Sequence, residues 1–170
     1  MEKLSVTSRR LQIIVLALVA LTPVAVGLNV VLGNWADFLH MPADIPIDTA
    51  RIAGVGFVAA VAVGSIKPFA FMVAFGFLYR LLGLYREGIV FVAANVAAIR
   101  RIGWALVAID VAAMVQKALT GPVLTAFQIT EGHISLTLEV AFLTVGLFIV
   151  LVARVMDLGR ELQEQDNLVI

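Results

Sequence analysis

Leu11 to Leu32 reads LQIIVLALVALTPVAVGLNVVL, a stretch without a single charge. A bilayer core of about 30 Å takes about 20 helical residues, so this run alone is long enough to cross one. Three more runs of comparable character follow at Ile52–Tyr79, Ile102–Leu119 and Leu136–Ala153. None alternates polar and apolar residues as the strands of a β-barrel would. Over the 170 residues the apolar fraction is 62% and the mean hydropathy +1.04, against about 45–50% apolar residues in soluble domains. A soluble chain of this length could not hide that surface, so lipid must be its solvent. The fold class is all-α: one integral membrane four-helix bundle over residues 1–170, in contact with the lipid bilayer.

Charge sets the expected orientation. With the N-terminus cytoplasmic, Lys3, Arg9, Arg10, Arg80, Arg86, Arg100, Arg101, Arg154 and Arg160 fall on the inner side. Only Arg51, Lys67 and Lys117 fall in the outer half. Positive residues collect on the cytoplasmic side of membrane proteins, so both termini are predicted inside (N-in/C-in). Trp35 is expected at the outer interface, and Tyr79, Tyr85 and Trp104 near the inner one. The first run follows Arg9-Arg10 and weakly resembles a twin-arginine signal. It is longer than a signal-peptide core of about 7–15 residues, which predicts a retained helix.

The second run is too long for a straight crossing, and Lys67-Pro68 interrupts it. Pro68 has no amide hydrogen to donate, which predicts a kink near Gly64 to Pro68. Before the kink, Gly56, Ala60 and Gly64 form a small-residue stripe at steps of four. Such a stripe suits close intramolecular helix packing or a homodimer contact.

Within the apolar runs, charged residues are costly and need partners. Asp110 lies nine residues beyond Arg101, about 13 Å along the third helix. Lys67, about 20 Å before Arg80 along the second helix, is the predicted partner of Asp110. Glu139 and Lys117 form a second candidate pair. These four residues could serve as an ion relay or polar ligand site, or could fix helix register. Asp37, His40, Asp44 and Asp48 lie in the first outer loop and His133 in the second. Two histidines without ligand spacing predict no metal site. Pro42 and Pro46 suggest an irregular cap, with Phe38, Leu39, Met41, Ile45 and Ile47 folded back on the membrane surface. Helical spacing of Val155, Leu158 and Leu162 predicts that the fourth helix continues as an amphipathic stem. Its acidic tail could dock on the basic hairpin 80–101, or both could bind a partner.

The chain has no cysteine, and no phosphate loop, hydrolase elbow or nucleic-acid motif. The expectation is therefore no enzyme, no cofactor and no direct contact with nucleic acid.

The hairpin Tyr79-Arg80-Leu81-Leu82-Gly83-Leu84-Tyr85-Arg86-Glu87-Gly88-Ile89-Val90-Phe91 leads to Asn95-Val96 and Arg100-Arg101-Ile102-Gly103. The tail contains Arg160-Glu161-Leu162-Gln163-Glu164-Gln165-Asp166-Asn167-Leu168-Val169. Together these resemble the DUF2975 family of small four-helix bacterial membrane proteins, from about Ala50 to the end. Val92 stands where that family usually has Thr or Ser, and Gln165 and Val169 replace a usual Glu and Thr. Without a hydroxyl at Val92, the helix beginning near Ala93 lacks a cap worth about 1 kcal/mol. The family has no established biochemical activity. Its members are often encoded beside a small helix-turn-helix regulator, and the resemblance implies a membrane partner or regulator of such a transcription factor in the bacterial inner membrane. Arg86, Arg100, Arg101, Arg160, Glu161 and Glu164 are the candidate partner-binding residues. The alternative function is a small transporter or sensor that binds an ionic or amphipathic ligand at Asp110 and Lys67.

Overall fold

The computed structural model describes residues 2–42, 45–87, 92–132, 137 and 139–166, with no strand among them. Its α-helices are α1 (Glu2–Val31), α2 (Trp35–Leu39), α3 (Gly54–Gly64), α4 (Ile66–Arg86), α5 (Ala93–Ala126) and α6 (Ala141–Asp166). A 3-10 turn covers Thr49–Arg51. Helices α1, α4, α5 and α6 are each long and apolar enough to cross a membrane, and the protein is a multi-pass membrane protein.

The helices run beyond the apolar stretches. Hydropathy marks where lipid ends, whereas backbone hydrogen bonding continues while residues such as Leu, Arg and Ala sustain it. Helix α5 has 34 residues, about 51 Å, well past a bilayer core. It begins at Ala93, as expected from the segment after Val92 and well before the apolar run opens at Ile102, and it ends at Ala126 rather than Leu119. Likewise α4 reaches Arg86, so most of the expected hairpin 80–101 is helical. Helix α6 starts at Ala141 instead of Leu136 and extends to Asp166. The run Ile52–Tyr79 is two helices, separated at Ser65. With 11 residues, α3 spans about 16 Å and cannot cross a bilayer by itself.

The chain divides into two compact units. The first consists of Met1–Val19, Val73–Ala108 and Ala141–Ile170. Within it, Ser8, Gln12 and Val15 are buried on one face of α1. Lipid offers polar side chains no hydrogen bonds, so they turn inward. The Gln12 amide donates to the Tyr79 carbonyl at 3.3 Å. The tightest helix crossing in this unit is glycine on glycine. A Cβ added to Gly103 would lie 2.8 Å from the Gly146 carbonyl oxygen and 3.0 Å from the Val150 nitrogen. One added to Gly146 would lie 2.6 Å from the Gly103 carbonyl oxygen. Only hydrogen fits there, which lets the α5 and α6 backbones touch.

The second unit consists of Ala20–Met72 and Ile109–Val140. Its core gathers Trp35, Phe38, Leu39, Met41, Ala60, Leu124 and Ile129. Trp35 is thus a core residue of this unit. Its ring meets Phe38 and Phe57 edge-on, at centroid distances of 6.1 and 5.8 Å. Phe38, Leu39 and Met41 are buried in the protein rather than laid on a membrane surface. Gly33, in the left-handed conformation at φ 73°, ends α1 and turns the chain into α2. The two loops of this unit are joined. Asp48 N donates to Ile129 O at 2.8 Å, Thr130 Oγ1 donates to Pro46 O at 3.0 Å, and Arg51 donates to Gln128 O at 3.1 Å.

Gly56, Ala60 and Gly64 are covered by this unit's own side chains. A Cβ at Gly56 would meet Ile129 Cδ1 at 3.3 Å, Ala60 lies in the core, and the Phe38 ring sits against Gly64. The stripe therefore packs within the chain, the first of the two uses weighed from the sequence.

Candidate functional site

Two groups of polar side chains stand out, one in each unit. In the second unit, Glu139 bridges two lysines. Lys117 Nζ donates to Glu139 Oε1 at 2.7 Å, and Lys67 Nζ donates to Oε2 at 2.9 Å. Lys117 also donates to Thr137 Oγ1 at 3.2 Å. The hydrogen bond from Lys117 and then that from Lys67 lower the Glu139 pKa from 4.5 to about 2. Each carboxylate oxygen thus accepts from one lysine, which balances part of the positive charge of Lys67 and Lys117 locally.

Helix α4 begins beside this cluster for a local reason. The first amides of a helix have no intrahelical partner, and Pro68 contributes none. Phe69 N donates to Ser65 O at 2.9 Å. The Lys67 amide instead donates to Gln116 Oε1 at 2.9 Å. Gln116 is fully buried on α5, and its Nε2 lies 3.5 Å from the Phe38 carbonyl oxygen. One side chain thus ties the start of α4 to α5 and reaches toward α2. The sequence reading passed over Gln116. The available signal was an amide side chain in the middle of an apolar run, where hydrocarbon cannot satisfy it.

The register set by Gln116 also corrects a predicted pair. Lys67 binds Glu139, not Asp110. Asp110 lies six residues before Gln116 on α5, about 9 Å along the axis, too far for a lysine already held by Glu139. Asp110 is only 1% exposed.

The first unit carries the basic group. Arg80 and Arg86 on α4 and Arg100 and Arg101 on α5 are all exposed. Among the described residues none of the four forms an ion pair. The structure divides them. Arg80 and Arg101 line a cavity of about 220 Å³ with Phe77, Leu84, Ala94, Ala97 and Ala98, whereas Arg86 and Arg100 stand outside it.

On the α6 stem, Asp157 is held by its own helix, with Arg160 at 3.5 Å and Arg154 at 4.0 Å. The expected docking of the acidic tail on the basic hairpin is therefore not made by Asp157. Glu161 is exposed, as are Val155, Leu158 and Leu162. The Glu164 side chain, the tail 167–170, Asp44, His133 and residues 88–91 lie outside the described residues. Among those described, no three His, Cys, Asp or Glu residues come together as a metal site.

The family model described as "Protein of unknown function (DUF2975)" matches residues 56–170. No curated protein and no solved structure matches the chain.

Proposed function

We propose that this chain, which belongs to the DUF2975 family, is a membrane-anchored docking protein for a cytoplasmic partner with an acidic face. The carrying observation is that Arg86 and Arg100 are exposed and form no ion pair among the described residues, in the unit that also exposes Val155, Leu158 and Leu162 on α6. Exposed charge steers a partner and sets its orientation, while the apolar stripe supplies the burial that holds it. In this reading both termini face the cytoplasm of a bacterium, the chain sits in its inner membrane, and Arg101, Arg160, Glu161 and Glu164 border the surface.

The family resemblance supplies the class of partner, a small helix-turn-helix regulator. Like charges repel, so such a regulator would dock through an acidic patch and not through its basic DNA-reading helix. Holding it at the membrane would keep it from its operator.

Less supports the alternative, a transporter or sensor of an ionic ligand. The ion pair of Lys67 with Glu139 takes Lys67 away from Asp110 and leaves Asp110 as its main residue. Co-purification separates the two. A C-terminally tagged chain in mild detergent is expected to retain a helix-turn-helix protein. Arg86→Glu with Arg100→Glu should release it, and Asp110→Asn should not. If no cytoplasmic protein is retained by the intact chain, the docking function is wrong.

A further inference from the structure

The cavity beside the basic face has a chemistry of its own. Phe77, Arg80 and Leu84 follow one another at steps of three and four, so they share one face of α4. Ala94, Ala97, Ala98 and Arg101 share one face of α5 in the same way. The alanines leave a hollow, and one guanidinium stands on each helix. From these residues we infer a binding site for an anionic phospholipid, with its phosphate between Arg80 and Arg101 and an acyl chain against Phe77 and the alanines.

Depth agrees with this occupant. Arg80 lies six residues before the end of α4, and Arg101 eight residues after the start of α5. Those intervals are about 9 and 12 Å; Arg80 directly follows the apolar run that ends at Tyr79 and Arg101 directly precedes the one that begins at Ile102, where hydrocarbon gives way to headgroups. Arginine binds phosphate with two parallel hydrogen bonds, and basic pockets between membrane helices take anionic headgroups. Free phosphate would use the arginines and leave the apolar walls unused. A lipid uses both. The two arginines have no anionic partner among the described residues. The lipid site rests on Arg80 and Arg101 and needs no bound protein, although Arg101 also borders the proposed docking surface.

Native mass spectrometry of the full chain tests it, with no partner protein present. The protein is purified in a neutral detergent and offered phosphatidylglycerol and phosphatidylcholine in equal amounts. The intact chain should retain phosphatidylglycerol preferentially. Arg80→Gln with Arg101→Gln should lower that preference on the order of 30-fold. Arg10→Gln with Arg154→Gln removes two charges elsewhere in the same unit and should leave it in place. Ala97→Leu fills the hollow without altering charge and should also abolish retention. Equal retention of the two lipids by the intact chain would overturn the site. So would full preference in the Arg80/Arg101 variant or in Ala97→Leu, or displacement of the lipid by inorganic phosphate.

Discussion

The Gln116 side chain caps the amide of Lys67 at 2.9 Å, across 49 residues of sequence. This contact connects the break at Ser65 to the middle of α5, and it gives the interrupted second run a fixed starting point. A buried amide that loses its acceptor costs about 1–3 kcal/mol. Gln116→Leu keeps the volume and removes the acceptor, so it should lower stability by that amount in detergent. Thermal unfolding against the unaltered chain reads the difference. No change in the midpoint would mean that water satisfies the Lys67 amide and that the cap is dispensable.

Gly103 and Gly146 make a second prediction, with internal controls. Each would place a new Cβ within 3.0 Å of backbone atoms on the other helix, and backbone cannot swing aside as a side chain can. Gly103→Ala and Gly146→Ala should each destabilise by about 1–3 kcal/mol through overpacking. Gly76 and Gly159 have open space where a Cβ would go. Alanine there should be neutral, or should stabilise by about 0.4–1 kcal/mol by restricting the unfolded chain. Chemical denaturation in mixed micelles would rank the four variants, and a flat ranking would contradict the close crossing.

Membrane residence and the number of helices long enough to cross a bilayer were legible because each of the four runs signals itself by length. Pro68 and the glycine before it pointed correctly to the break near Ser65, since a missing amide donor is a local property. Partner choice was not legible, because it depends on the axial register of one helix against another. Asp110 and Lys67 looked suitably placed by counting from the inner arginines. The true register is set by Gln116, whose partner is a backbone atom with no sequence signature. The small-residue stripe Gly56, Ala60 and Gly64 was visible, but Phe38, which covers its Gly64 end, lies in a short loop helix that hydropathy does not distinguish from a surface cap. The Arg80–Arg101 cavity was hidden for another reason. Two adjacent arginines, Arg100 and Arg101, differ only in which way the helix turns them.

Phe38 and Gly64 should therefore behave as a coupled pair. A Cβ on Gly64 would overlap the Phe38 ring, and Phe38 is buried in the core. Gly64→Ala is expected to destabilise the second unit. Phe38→Leu costs packing by itself, yet it makes room, so the double variant should be less destabilised than the sum of the two. A double-mutant cycle should give a coupling of about 0.5–3 kcal/mol. Strict additivity would show that the stripe is not packed against Phe38.

Glu139 supplies the pH-dependent prediction. Its pKa in the folded chain is about 2, below its ordinary value of 4.5, chiefly because Lys117 and then Lys67 hydrogen-bond its carboxylate. A group with a lowered folded pKa binds fewer protons when folded than when unfolded. Its contribution is fully present above about pH 4.5 and declines as the pH falls toward 2. The side chain remains 36% exposed, so solvent screening reduces the effect below what the shift alone would suggest. Glu139→Gln keeps an acceptor but removes the charge, leaving Lys67 and Lys117 facing each other without a carboxylate. The stability gap between the intact chain and this variant should be constant from pH 8 down to about 5. Below about pH 4.5 the gap should narrow as the intact chain becomes protonated and comes to match the variant. Melting temperatures of both proteins across that range would test this. A gap that persists unchanged at the acid end would mean that the two lysines stabilise Glu139 by packing and not by charge.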